Sequence, residues 1–247
     1  MITKTKAIVL RNTNYGESSI ISKMYTREFG VRTYILQSIR KGKSAIKPSM
    51  IQPLSLVDLD IYEKPNSSIN RIKELKNNPL LMDIQDSVPK KTVALFLLEL
   101  LNQCIVDEQY EEELFDFIAA QIIFLEREPL NALFPIHFML KLTFFLGVEP
   151  QGEFSVDTPY LSLEEGVFVE QSGVSTVSRE TSELISLLSN NSNWPMVIVN
   201  PAARKESLNQ LIKYYQYHIT KNKKMKSVEI LSELLRMFYQ YNHHMHF

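Results

Sequence analysis

The sequence has 247 residues and a formal net charge of −1, with 45% hydrophobic and 22% charged residues. That balance excludes a disordered chain, and the length holds one large domain or two small ones with a core that needs no covalent staples. A single cysteine, Cys104, excludes an internal disulfide and a cysteine-built zinc site.

Residues 1–6 contain no apolar run of signal-peptide length. Short apolar, β-branched and aromatic runs follow at Ala7–Leu10, Ser19–Thr26 and Val31–Ile39. Leu54–Tyr62 alternates apolar Leu54, Leu56, Leu59 and Ile61 with Ser55, Asp58 and Asp60, the pattern of a half-buried antiparallel strand. Ile69–Leu75 is a candidate fifth strand. Breakers separate the runs: Tyr15-Gly16-Glu17, Phe29-Gly30, Lys41-Gly42-Lys43 and Pro65-Asn66-Ser67. Five short strands so punctuated predict a small closed barrel, because closure removes exposed sheet edges.

The period then changes from two to helical, with a domain boundary near Asn77-Asn78-Pro79: residues 1–78 form a β module and 79–247 a helical one. Thr92–Val106 carries Val93, Phe96, Leu97, Leu100, Leu101 and Ile105 at helical spacing and predicts a helix buried nearly all round. Glu111–Arg127 places three glutamates in its first turn, where the helix dipole favours them. Asn131–Leu146 follows, with Pro135 near its start and Gly147 as its cap. The apolar stretch Leu130–Val148 is interrupted by Asn131, Pro135, His137 and Lys141, so it reads as a buried helix and not a membrane span. A non-helical insert spans about residues 149–175, with Tyr160–Leu163 and Val167–Val169 predicted as a β-hairpin. Helices are expected at Arg179–Leu188, Arg204–Thr220 and Lys226–Tyr241. The fold class is α+β, and the expected location is the cytoplasm.

No glycine-rich phosphate loop, HExxH, GxSxG or calcium-loop motif occurs. Cys104 lies among Leu100, Leu101 and Ile105 and reads as an inert buried thiol. His243, His244 and His246 read as a polar tail in preference to a metal site. Charge, by contrast, is segregated: residues 1–80 carry +8, 81–170 carry −13 and 171–247 carry +4. Such asymmetry concerns partners more than fold. Arg27, Arg32, Arg40, Lys41, Lys43 and Lys47 are interleaved with Tyr25, Phe29 and Tyr34, and most flank the loop Ile39–Met50. Cations that meet phosphates beside rings that stack on bases are what tracks a single strand of nucleic acid. Lys221, Lys223, Lys224 and Lys226 form a second cluster.

The opening Thr5-Lys6-Ala7-Ile8-Val9-Leu10-Arg11, the turns Tyr15-Gly16-Glu17-Ser18-Ser19 and Thr26-Arg27-Glu28-Phe29-Gly30, the basic Arg40-Lys41-Gly42-Lys43-Ser44 and the strand Gln52–Tyr62 together resemble the RecO family of bacterial recombination mediators. Phe145-Leu146-Gly147-Val148-Glu149-Pro150 and Lys226-Ser227-Val228-Glu229-Ile230-Leu231 are similar to later parts of that family. The resemblance implies an oligonucleotide-binding (OB) barrel followed by a helical domain, with no enzymatic active site and no cofactor. It implies binding of single- and double-stranded DNA, annealing of complementary strands and, with RecR, loading of RecA onto DNA coated with single-strand binding protein. Many members carry four cysteines as a zinc finger after the "LGxxP" helix. Gln151–Gln171 has none, so no metal is expected and the hairpin would keep that lobe's shape alone.

On this reading Arg11, Arg27, Arg32, Tyr34, Arg40, Lys41, Lys43 and Lys47 contact DNA, with Lys221, Lys223, Lys224 and Lys226 extending the track. Arg127 and Lys141 flank apolar helices and are the candidates for receiving the acidic C-terminal tail of single-strand binding protein. The competing reading is a non-catalytic interaction scaffold with an OB-like barrel and no direct DNA role. A metal-dependent nuclease would need carboxylates near the basic face, where residues 1–57 offer only Glu17 and Glu28.

Overall fold

The computed structural model describes residues 2–39, 45–62, 67–105, 111–221 and 223–244, with side chains described as far as residue 236. The chain forms two compact units, Met1–Glu128 and Pro129–Phe247.

The first unit opens with a closed five-stranded barrel, in spatial order β1-β2-β3-β5-β4. Its strands are β1 (Ile2–Tyr15), β2 (Ser19–Thr26), β3 (Gly30–Leu36), β4 (Leu56–Tyr62) and β5 (Asn70–Asn77). β1 is far longer than its apolar run Ala7–Leu10. It pairs with β4 from Ile2 to Ile8 and with β2 from Ala7 to Tyr15, with a bulge between Val9 and Arg11. The bulge adds twist where the strand passes from one partner to the other. β3 and β5 close the barrel as a short parallel pair, Tyr34 opposite Asn70 and Ile35 opposite Arg71. Ala7, Val9, Met24, Tyr34, Leu36, Val57, Leu59, Ile61 and Leu75 fill the interior.

β3 stops three residues before the expected Ile39. Ser38 turns the chain at φ 58, and Ile39 and Ile51 fold back to join the core. β4 begins at Leu56 because Leu54 takes φ 64, with its N–H donating to the Val9 carbonyl (2.8 Å).

Three helices complete this unit: α1 (Asp83–Asp86), α2 (Val88–Cys104) and α3 (Glu112–Arg127). α2 starts before the expected Thr92, since Ser87 caps it and Pro89 fits its first turn. The unexpected α1 is held from outside itself. The Glu126 carboxylate accepts from the backbone N–H groups of Met82, Asp83 and Ile84 at 2.7, 2.8 and 2.9 Å. Lys90, buried, donates to the Glu126 carbonyl (2.9 Å) and pairs with Asp83. α3 is bound to β2 and the turn after it. The Arg27 guanidinium meets Asp116 through two bonds of 2.8 Å and Glu112 at 2.7 Å. Tyr25 donates to the Glu111 carbonyl (3.2 Å) and packs on Phe115.

The second unit is built round α4 (Phe134–Phe145), with α5 (Arg179–Asn190), α6 (Pro201–Tyr215) and α7 (Ser227–His244). Gly147, at φ 68, ends α4 as expected. Between α4 and α5 lies the hairpin of β6 (Tyr160–Ser162) and β7 (Val167–Val169). Gln151 bonds both Gly166 and Phe168, Ser182 receives the Leu161 N–H, and the Leu163 N–H reaches the Ser175 carbonyl. Tyr214 donates to the Val148 carbonyl (2.7 Å), and His218 Nε2 lies 2.8 Å from the Leu163 carbonyl. Gly166 takes φ 72, and a Cβ there would lie 2.9 Å from the Tyr214 hydroxyl. No helix of the described residues is long and apolar enough to cross a membrane.

Glu126→Ala removes one acceptor from three backbone donors. It should destabilise the protein by about 1–2 kcal/mol, as loss of a helix cap does, with Glu126→Gln losing less. Equilibrium urea unfolding measures this, and a change below about 0.5 kcal/mol would mean that water replaces the carboxylate.

His137 is buried and stacks on Trp194 with ring centroids 4.3 Å apart. Burial pushes its imidazole from 6.5 down to about 4. Between those pH values the unfolded chain binds a proton that the folded chain does not, so stability falls as pH is lowered through that window. In His137→Gln the slope of stability against pH between 4 and 6.5 should be shallower than in wild type. Equal slopes would assign the acid sensitivity elsewhere.

Candidate nucleic-acid interface

Strand register determines which side chains share the outside of the barrel, since alternate residues face opposite ways. One outer face runs across β1, β2, β3 and β5. Arg11 stands opposite Lys23, which stands opposite Thr33. The next row is Thr13, Ile21, Ile35 and Arg71, and Tyr62 of β4 pairs with Arg71. Tyr15, 56% exposed, pairs with Ser19 at the hairpin tip. These rows hold three cations and no carboxylate. Ile21 and Ile35 are half-buried among them, and Tyr15 and Tyr62 (43% exposed) supply accessible rings. Lys47, also exposed, stands just before the short helical turn Pro48–Ile51.

The opposite side of the barrel is electrostatically different. Lys6, Asp58 and Lys76 form one cross-strand row, and Lys4, Asp60 and Glu74 form another. Lys76 bonds Glu74 at 2.9 Å, which holds the Glu74 carboxyl below its ordinary range. Opposite charges across a ladder stabilise the sheet and leave little net field for a phosphate chain. The shallow cavity there, about 430 Å³, is lined by both signs of charge.

The cations named from the sequence have different settings. Arg11 lies on the outer basic face. Arg27 does not serve as a free cation, because its guanidinium is taken up by Asp116 and Glu112. It holds the Asp116 carboxyl below the ordinary range through that hydrogen bond and its charge. Arg32 shares the inward parity of Tyr34 and lies half-buried near the barrel end, its guanidinium donating to the Val31 carbonyl at 3.0 Å. Arg40, Lys41 and Lys43 lie outside the described residues, as does His246. Lys221, Lys223, Lys224 and Lys226 are exposed between α6 and α7 in the second unit. Arg127 is exposed at the end of α3 in the first unit, whereas Lys141 of the second unit donates to the Ser189 carbonyl (2.8 Å) at the end of α5.

The aromatic part of the sequence reading needs correction. Tyr34 is fully buried in the barrel core, so its ring has no face for a base. Tyr25 is likewise buried, with its hydroxyl pushed up to about 12 chiefly by desolvation, and Phe29 packs against the core. Among the described residues of the barrel strands, the accessible rings are Tyr15 and Tyr62. Lys23 and Arg71 were also missed. Register was the signal: Lys23 follows Ile21 at a spacing of two, in phase with Arg11, while Arg71 joins this face only through the short, non-local parallel pairing of β5 with β3.

Cys104 is buried and its thiol is pushed up to about 12 by desolvation, so it is not a nucleophile at neutral pH. No group of three or more histidine, cysteine or carboxylate side chains among the described residues could hold a metal ion.

Comparison with known proteins accounts for nearly the whole chain. The family model described as Recombination protein O N terminal matches residues 1–77, and that described as Recombination protein O C terminal matches residues 87–228. The DNA repair protein RecO of Flavobacterium johnsoniae is 29% identical over 236 residues, covering 95% of this chain and 99% of the relative. That of Azobacteroides pseudotrichonymphae is 31% identical over 236 residues, covering 94% and 98%. That of Flavobacterium psychrophilum is 31% identical over 239 residues, covering 95% and 99%. With matching models over both halves and relatives aligned almost end to end, the chain belongs to the RecO family of DNA repair proteins.

Proposed function

We propose that this protein binds single- and double-stranded DNA on the outer face of β1, β2, β3 and β5 and anneals complementary strands. With RecR it would help to load RecA onto DNA coated with single-strand binding protein. The observation that carries this reading is the contrast between the two sides of one barrel: Arg11, Lys23 and Arg71 face outward in rows shared with Thr13, Ile21, Thr33, Ile35 and Tyr62, while the rows of the other side combine Lys4, Lys6 and Lys76 with Asp58, Asp60 and Glu74. Phosphates would lie along the three cations, and Tyr15 and Tyr62 would stack on bases. Contacts of this kind carry little sequence information, which suits a protein that must accept any strand. A shallow face also leaves bases open to a second strand. Lys47 and the loop cations Arg40, Lys41 and Lys43 would extend the track, and Lys221, Lys223, Lys224 and Lys226 would meet DNA separately, in the second unit. The protein would act as a binder and not as a catalyst.

For the tail of single-strand binding protein, Lys141 supplies a cation on α4 and Phe144, one turn further and 59% exposed, an apolar contact. Arg127 is the second candidate cation. The scaffold reading is favoured by one observation, the exposed Leu80, Met82, Val88 and Leu95 in the first unit.

The triple variant Arg11→Ala/Lys23→Ala/Arg71→Ala tests the DNA face with a fluorescent single-stranded oligonucleotide over a range of salt. Wild-type affinity should fall log-linearly with salt, and the variant's slope should be shallower by about two, given roughly 0.7 counterions released per phosphate contact on a single strand. An unchanged slope removes this face from the account. Absence of wild-type binding at low salt would leave the scaffold reading.

The peptide contact is tested separately. Lys141→Ala/Phe144→Ala should bind an acidic-hydrophobic tail peptide at least about fivefold more weakly than wild type in a fluorescence anisotropy titration, the loss expected for about 1 kcal/mol. Equal affinity would remove α4 from that role.

A further inference from the structure

The end of α6 is not an ordinary helix terminus. The helix widens into a π-turn, Gln216–Thr220, and the next residue, Lys221, takes φ 47 and ψ 54. That left-handed backbone usually falls to glycine, because a Cβ crowds the chain there. Local π-turns and left-handed non-glycine residues recur where a chain aims side chains for a purpose.

Here the turn divides the aromatic residues between two faces. Tyr214 and His218 point to the hairpin lobe: their rings are 4.3 Å apart, Tyr214 donates to the Val148 carbonyl and His218 lies against the Leu163 carbonyl. Tyr217 is left in solvent, 54% exposed. Lys213 precedes it by four residues and Lys221 follows by four, and both are exposed. Lys223, Lys224 and Lys226 continue the exposed cationic run. Between Glu206 and Glu229 the chain has five lysines and no carboxylate. On the lobe side, Glu149 follows Val148, whose carbonyl accepts from Tyr214, and Glu164 and Glu165 sit in the hairpin turn.

We infer that Tyr217, flanked by Lys213 and Lys221, is a stacking platform for a base of single-stranded nucleic acid, giving the helical unit a strand contact of its own. The inference rests on the proposed function for the kind of ligand, but the ring and its position come from α6 alone. A tyrosine face accepts any base, and lysines on both sides meet the phosphates that flank it. The lobe contacts of Tyr214 and His218 fix the helix end, so the ring is presented from a held backbone. The barrel face and this ring are then two separate contacts for nucleic acid within one chain.

The test uses the full-length chain and a fluorescein-labelled oligothymidylate. Tyr217→Ala should weaken binding at least about fivefold, the lower end expected for loss of one stacked base. Tyr217→Trp should bind as wild type does, and its indole emission should be quenched by unlabelled oligothymidylate. The native Trp194 is 6% exposed and gives a constant background. Tyr217→Leu should be as weak as the alanine variant. The inference is overturned if Tyr217→Ala binds normally, if the leucine variant does, or if the indole is not quenched. Quenching by anionic phospholipid vesicles but not by the oligonucleotide would also overturn it, assigning the patch to a membrane surface. The same indole placed in the Arg11→Ala/Lys23→Ala/Arg71→Ala protein separates the two sites. Quenching that survives there supports an independent helical contact. An unchanged salt slope in the triple variant, with quenching intact, would instead count against the barrel face alone.

Discussion

Everything in the first unit depends on one strand pairing on both of its edges. β1 spends residues 2–8 on β4 and residues 7–15 on β2, and only Ala7 and Ile8 are shared. A short strand could not do this. The bulge between Val9 and Arg11 turns the strand as it changes partner, and it sets the phase by which Arg11, Thr13 and Tyr15 face outward beside Lys23, Ile21 and Ser19. A slip of one residue would reverse every side chain of the outer half, taking the cations into the core. The candidate interface is therefore a consequence of barrel closure. Leu54, held at φ 64 by its bond to Val9 at that bulge, shows how much local strain the closure tolerates.

The hairpin lobe presents a related problem with a different solution. A segment of about thirty residues with two three-residue strands cannot hold a shape by its own pairing. Here its order comes from neighbours: Tyr214 on α6, His218 in the π-turn that follows it, Ser182 on α5, and Gln151 bridging to β7. Gly166 belongs to that solution, because the Tyr214 hydroxyl occupies the space a Cβ would need. Hydrogen bonds to the lobe's backbone N–H and C=O groups thus do the positioning that a cysteine-bound metal ion does in other small lobes.

Sequence reading located elements well where a period or a breaker marked them. The alternation Leu56–Ile61, Gly147 after α4 and the hairpin around Glu164-Glu165-Gly166 were all legible. It failed where the cause is non-local. α1 exists because Glu126, more than forty residues away, caps it. The ends of β1 carry threonine, lysine and asparagine, and they are strand because barrel closure pairs them. The candidate site shows the same division. The cationic character of the first eighty residues was legible from composition, but the outward or inward position of each ring was not. Tyr34 has the β-propensity and spacing of a surface stacker, yet Met24 and Leu36 share its side of the sheet, and that side is the core. Arg27 looked available until α3 brought Asp116 and Glu112 to it.

That last pairing also explains why a segment of charge −13 can follow a basic barrel without cancelling it. Part of the acidic surplus is already committed. Glu112 and Asp116 neutralise Arg27, Glu126 satisfies the amides of α1, and Asp83 meets Lys90. Each of these carboxylates is engaged within its own unit, on Arg27, on Lys90 or on α1. Arg11, Lys23 and Arg71 on β1, β2 and β5 stand in cross-strand rows whose other members are Thr13, Ile21, Thr33, Ile35 and Tyr62. Fields from exposed charges are screened within about 8 Å at physiological ionic strength. A phosphate on the outer face therefore meets mainly the cations of its own rows, and net charge by segment is a poor guide to the charge that a strand of DNA would feel.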